Sequence, residues 1–203
     1  MTLDILSALI AFCFVGVITP GPNNLMLMAS GANYGFRRTV PHMLGIGIGM
    51  PVLVVLVGLG VMRIFEMWPL VEQVLMVLSV AYLLFLAWKI ANAAPPVRTH
   101  ESEVAGNPLT FLQAAAFQWV NPKAWFMALS AITLYAGGRD PIAILWVAAA
   151  YACVSVISTT SWTALGQQMR RLLGHPTRLR IFNWTMAALL VATLIPVLWP
   201  AQG

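Results

Sequence analysis

The sequence predicts an all-α polytopic membrane protein, with six transmembrane helices forming two inverted three-helix repeats in which helices 1 and 4 are broken. Three observations carry this. The chain is 60% apolar and only 8% charged, with mean hydropathy +0.84, whereas soluble domains carry about a quarter charged residues. Six stretches reach the length of about 20 apolar residues that crosses hydrocarbon. Prolines interrupt the first and fourth of these at matching places about a hundred residues apart.

The first stretch covers 3–33 and is interrupted at Thr19-Pro20-Gly21-Pro22-Asn23-Asn24. Proline removes an N–H and clashes with the preceding turn, so a regular helix cannot run through this segment. Spans two and three cover 40–62 and 68–90. A polar linker, 92–107, follows with Pro95, Pro96 and the charged residues Arg98, Glu101 and Glu103. Span four, 109–136, is interrupted at Asn121-Pro122-Lys123. Spans five and six cover 141–165 and 181–199. The organisation expected is therefore a first repeat over 1–91, a cytoplasmic linker over 92–107 and a second repeat over 108–203, within one membrane domain.

Basic residues set the orientation. The loops after spans one, three and five hold Arg37, Arg38, Lys89, Arg98, Arg170, Arg171, Arg178 and Arg180, against Arg63 and Arg139 on the other side. This bias puts both termini outside. The N-terminus has no basic n-region or small-residue cleavage site, so the first span is expected to stay. Trp68, Trp88, Trp146, Trp162, Trp184 and Trp199 are expected as interfacial anchors near span ends. Three crossings per repeat is an odd number, which turns the second repeat upside down relative to the first. Broken spans at corresponding places of inverted halves point to a transporter's binding site.

The candidate substrate residues follow from the breaks. Pro22 is suited to the first position of a half-helix, whose free N–H groups and positive dipole end attract an anion such as a carboxylate. Pro20 and Gly21 complete that break, and Asn23 and Asn24 add amide donors and acceptors. Asn121, Pro122 and Lys123 form the second. Lys123 lies about 14 residues into its span, roughly 20 Å along a helix and near mid-membrane. An ionisable group there is expensive and usually functional. The six acids, Asp4, Glu66, Glu72, Glu101, Glu103 and Asp140, fall in loops or at span ends, so Lys123 is expected to be neutral through desolvation, to face water, or to find its partner in the substrate. In span five, Ser155, Ser158 or Thr159, and Trp162 share a helical face; Ser155 and Thr159 join the site set. Gln113 and Gln118 are further candidate cavity groups. Gly45, Gly47 and Gly49 are expected to serve close helix packing, His42 to lie at the interfacial end of span two, and Cys13 and Cys153 to be small buried hydrophobes.

Other chemistries find no support. The sequence has no metal-ligand cluster, no nucleophile–base motif and no phosphate loop, so no enzyme, metal or cofactor is expected. Its basic residues are too scattered for a nucleic-acid footprint, and the two cysteines lie in different spans. A passive oligomeric channel for small solutes is the alternative function.

At Pro20-Gly21-Pro22-Asn23-Asn24, followed by Gly35-Phe36-Arg37 and the Gly45, Gly47, Gly49 series, the chain resembles the lysine exporter superfamily in its homoserine/threonine efflux branch. Asn121-Pro122-Lys123-Ala124 resembles that family's second signature, and length and layout match throughout. The paired asparagines make it particularly similar to cysteine/O-acetylserine exporters. The resemblance implies alternating-access export of a small amino acid or derivative across the bacterial cytoplasmic membrane. It also implies drive by the proton or ion gradient; with no mid-membrane acid, Lys123, His42 or the substrate itself would have to carry the proton, or coupling is to something else. An inorganic-ion exporter of the same superfamily is the second alternative. The expected partners are a small amino-acid-like substrate and the lipid bilayer, with proton coupling and a homodimer left open.

Overall fold

Proline and glycine divide the chain into helices. The computed structural model describes residues 1–61, 67–93, 106–137 and 140–198. Its helices are α1 (Leu3–Ile18), α2 (Pro22–Tyr34), α3 (Phe36–Gly58), α4 (Pro69–Ala91), α5 (Phe111–Val120), α6 (Pro122–Tyr135), α7 (Pro141–Leu172), α8 (Pro176–Ala192) and the short α9 (Ile195–Leu198). Five of them, α2, α4, α6, α7 and α8, carry proline at the start, where the missing N–H has no partner to lose. The described residues are all-α, as expected from the sequence. Arg63, Glu66, Pro95, Pro96, Arg98, Glu101, Glu103, Arg139 and Trp199 lie outside them.

Three stretches are long and apolar enough to cross a membrane alone: α3, 73–91 of α4, and α7. The pair α1 and α2, bent by 57°, makes a fourth span if counted as one. The expected spans four and six are shorter pieces. Span four divides into α5 and α6. Span six divides at Thr193 and Leu194, because Pro196 has no N–H to offer Ala192 and so α8 ends four residues before it.

The helices α3 and α7 pack on each other at the centre. α3 also packs against α2, α5 and α6, and α7 against α1, α2 and α6. α4 and α8 pair alongside. Where lipid is as apolar as leucine, close approach depends on small residues. A Cβ added at Gly31 would strike the Thr163 carbonyl, and one at Gly166 the Met28 carbonyl, so α2 and α7 touch backbone to backbone. Gly45 and Gly49 likewise face α5, where a Cβ at Gly49 would lie 2.9 Å from Ala115 Cα; Gly47 faces open space.

The buried apolar residues form two clusters. One includes Leu25 and Leu27 of α2, Leu83 of α4, Phe117 of α5 and Leu190 of α8. The other includes Leu9 of α1, Leu53 of α3, Ala128 of α6 and Tyr151 of α7. Trp68, Trp88, Trp146 and Trp184 are exposed, as interfacial anchors require. Trp162 is not: it is half-buried, with its indole N–H turned inward. Cys13 is buried, but Cys153 sits on the outward face of α7 beside exposed Val156 and Ile157.

Candidate functional site

Between the two apolar clusters the breaks meet at one cavity. Its lining includes Gly21, Pro22, Asn23 and Asn24 from the first break, Asn121 and Lys123 from the second, and Ser155, Ser158 and Thr159 from α7. It holds about 440 Å³ of empty space, counting its open mouth. Pro20 is exposed and Pro122 half-buried; neither lines the cavity, and their part is to end one helix and begin the next.

The first break needs partners because α1 ends with free carbonyls. Four side chains from other elements supply donors. Asn24 Nδ2 donates to the carbonyls of Val17 (2.8 Å) and Thr19 (2.9 Å). Ser158 Oγ donates to Val17 O (2.8 Å) and Trp162 Nε1 to Ile18 O (3.2 Å). Lys123 Nζ donates to Thr19 O at 2.6 Å. On the other side of the break, α2 starts at Pro22 without a side-chain cap. Since Pro22 has no N–H, the amides left at this positive helix end belong to Asn23 and Asn24.

The second break is tighter. Asn121 alone separates α5 from α6, and its Oδ1 accepts from Lys123 N at 3.2 Å. A lysine in the first turn of a helix meets the unfavourable end of the dipole. Here the side chain leaves α6 and reaches the negative end of α1. Gly21 makes room for it: a Cβ there would lie 2.8 Å from Lys123 Cδ and 2.9 Å from Nζ. The backbone at Gly21 is extended, so space rather than conformation demands glycine. No acid lines the cavity among the described residues, which leaves the ammonium without a carboxylate.

The asparagines expected to contact substrate also make bonds within the protein, which leave Asn24 Oδ1 and Asn121 Nδ2 without partners among the described residues. Asn23 and Gln118 exchange amide bonds, Nδ2 to Oε1 at 2.9 Å and Nε2 to Oδ1 at 3.2 Å, joining α2 to α5. Asn24 serves the carbonyls of α1, and Asn121 caps α6. Among the described residues Ser155 makes no hydrogen bond, and Thr159 donates to Val156 O of its own helix at 3.4 Å. Among the described residues, the polar groups of the cavity that keep free capacity include the Ser155 hydroxyl, Asn24 Oδ1, Asn121 Nδ2, Lys123 Nζ and the first-turn amides of α2.

The sequence reading missed several liners. Gly16, Val17, Ile46, Met50, Ala124 and Met127 are apolar or small, and nothing in their spacing separates a cavity wall from core. It also missed the buried pair Asn33–Asn183, whose amides exchange bonds at 2.8 and 3.1 Å and tie α2 to α8. Two asparagines in apolar helices were the available signal. Gln113 faces outward and closes a capping box with Thr110. His42, expected at the interface, is 1% exposed. Among the described residues no three His, Cys, Asp or Glu side chains gather as a metal site.

With the geometry in hand, the chain can be compared with known proteins. The family model for LysE type translocators matches residues 14–194. The cysteine/O-acetylserine efflux protein of Klebsiella pneumoniae subsp. pneumoniae is 28% identical over 194 residues, covering 94% of this chain and 95% of the relative. The proteins of the same name from Escherichia coli K12 and Shigella flexneri serotype 5b are each 26% identical over 202 residues, covering 98% of this chain and all of theirs. No solved structure matches the chain significantly.

Proposed function

The chain belongs to the LysE type translocator family, an integral membrane amino-acid exporter and not an enzyme, and we propose that it exports a small neutral amino acid or derivative from the cytoplasm by alternating access. The names of its relatives make cysteine and O-acetylserine the first substrates to test. In this reading the substrate's carboxylate takes the first-turn amides of α2 and the ammonium of Lys123. Its amino group faces the free hydroxyl of Ser155 and the side-chain carbonyl of Asn24, beside the C-terminal end of α1. A half-helix N-terminus and a half-helix C-terminus in one cavity complement the two charges of an amino acid.

The observation that carries this is Lys123. It is a lysine at a cavity where both helix breaks converge, held by one carbonyl and, among the described residues, lacking an acid. Uncompensated charge inside a membrane protein is costly unless something completes it, and a substrate carboxylate does so. The packing supports the two-repeat reading: α7 lies against both halves of the first broken pair, and α3 against both halves of the second. Six spans, both termini outside, the bacterial inner membrane and proton drive belong to the same proposal.

The test is uptake of radiolabelled cysteine, O-acetylserine, homoserine, threonine and lysine by everted vesicles, with and without an imposed pH gradient. Saturable uptake of one or two small neutral amino acids that collapses with an uncoupler is expected. Non-saturating flux in both directions, indifferent to the uncoupler, would show a passive pore instead.

A further inference from the structure

A second cavity lies among the C-terminal end of α2, the start of α3, the end of α4 and the residues leading into α5. Its lining includes Ser30, Asn33, Tyr34, His42, Lys89 and Asn107. The two cavities share helices. Asn23 of α2 and Ile46 of α3 line the first; Met26 and His42, each about one turn away at roughly 5 Å, line the second. They are stacked in series along α2 and α3.

Accounting for each proton shows what this cavity leaves free. Thr39 donates its hydroxyl to Gly35 O (2.8 Å), so Ser30, 2.9 Å from Thr39, is the donor of that pair. Both amide protons of Asn33 are used, one on Ala29 O and one on Asn183. The side chain of Asn107 accepts from Arg38, whose guanidinium also lies 5.7 Å from the Tyr34 ring. Two groups remain. His42 is buried, and among the described residues neither ring nitrogen has a partner. Lys89 is half-buried and makes no hydrogen bond or ion pair among the described residues. A buried imidazole with both nitrogens orphaned is destabilising unless something enters to meet it. No carboxylate lines this cavity among the described residues.

We propose that this cavity is a second binding site, for a small carboxylate, in which Lys89 pairs with the anion and His42 donates an imidazole N–H to it. Resting on the exporter reading, it is an access site through which the substrate's carboxylate passes one helical turn before the central cavity. The shared chemistry, a small anion held by a lysine and a histidine, also fits chloride, and the test separates the two.

The full chain is labelled with isotopic histidine and reconstituted in lipid nanodiscs. The His42 imidazole signal is distinguished from those of His100 and His175 by the His42→Gln variant. Sodium acetate, O-acetyl-L-serine and sodium chloride are titrated separately. Saturable movement of the His42 signal with acetate and O-acetylserine is expected, in the wild type and in Lys123→Gln alike. Lys89→Gln should weaken it about tenfold, the loss of one charge-assisted bond, while Lys89→Arg restores it. Movement with chloride but not with the carboxylates overturns the assignment, as does an unmoved signal with all three. An unmoved signal alongside loss of export in Lys123→Gln removes this site alone. Normal export by Lys123→Gln with a responding His42 removes the central-site reading instead.

Discussion

The two helix breaks are built from similar residues yet satisfy their backbones in opposite ways. The second is self-contained: Asn121 occupies the gap alone and caps α6 with its own side chain. The first spans three residues, and donors from α2, α6 and α7 serve its carbonyls. A locally closed break is rigid whatever its neighbours do. A break closed by borrowed donors is intact only while those helices stay in place, so a movement of α6 or α7 exposes carbonyls that a substrate or water must then meet. The first break is therefore the responsive half of the pair, and Lys123 is what the second half delivers to it.

This contrast orders the expected effects of substitution. The largest is Gly166→Leu, which forces α2 away from α7 because the space beside Gly166 is filled by Met28 backbone. It should cost about 3 kcal/mol, the upper range for overpacking, and lower the unfolding midpoint in detergent sharply. Asn24→Leu comes next: Val17 and Thr19 each lose a donor, for about 2 kcal/mol of stability, and if stability is unchanged the carbonyls of α1 do not depend on Asn24. Gly21→Val should leave the protein assembled but push Lys123 from its position, lowering export about tenfold as a misplaced contact does. Export at the wild-type rate would mean that the lysine's place is unimportant. Asn121→Ala removes only a cap, about 1 kcal/mol. An effect on stability as large as that of Asn24→Leu would erase the contrast between the breaks.

What the sequence made legible was backbone: prolines, glycines and a charge in hydrocarbon each force a local outcome. Pro22 and Pro122 begin half-helices, and Gly45 and Gly49, though not Gly47, mark a close crossing, as residue chemistry requires. Side-chain direction was not legible. In a helix apolar on every face, lipid and protein core select the same residues, so periodicity cannot tell them apart. That is why Trp162 was read as an anchor and caps α1 instead, and why Cys153 was read as buried and faces outward. His42 was placed at an interface from its distance along span two, whereas α2 and α4 close over it. The asparagines were legible as cavity residues, but their second role was not: they also mend the breaks, with Asn24 serving the carbonyls of the first and Asn121 capping α6.

The central claim is that both breaks serve one solute through Lys123. Its most direct test is uptake of radiolabelled O-acetylserine into everted vesicles from cells producing wild type, Lys123→Ala and Lys123→Arg at matched membrane levels. The account predicts uptake reduced about a hundredfold or more in Lys123→Ala, as for loss of a buried charge-assisted contact, with partial recovery in Lys123→Arg. Wild-type uptake by the alanine variant would contradict it.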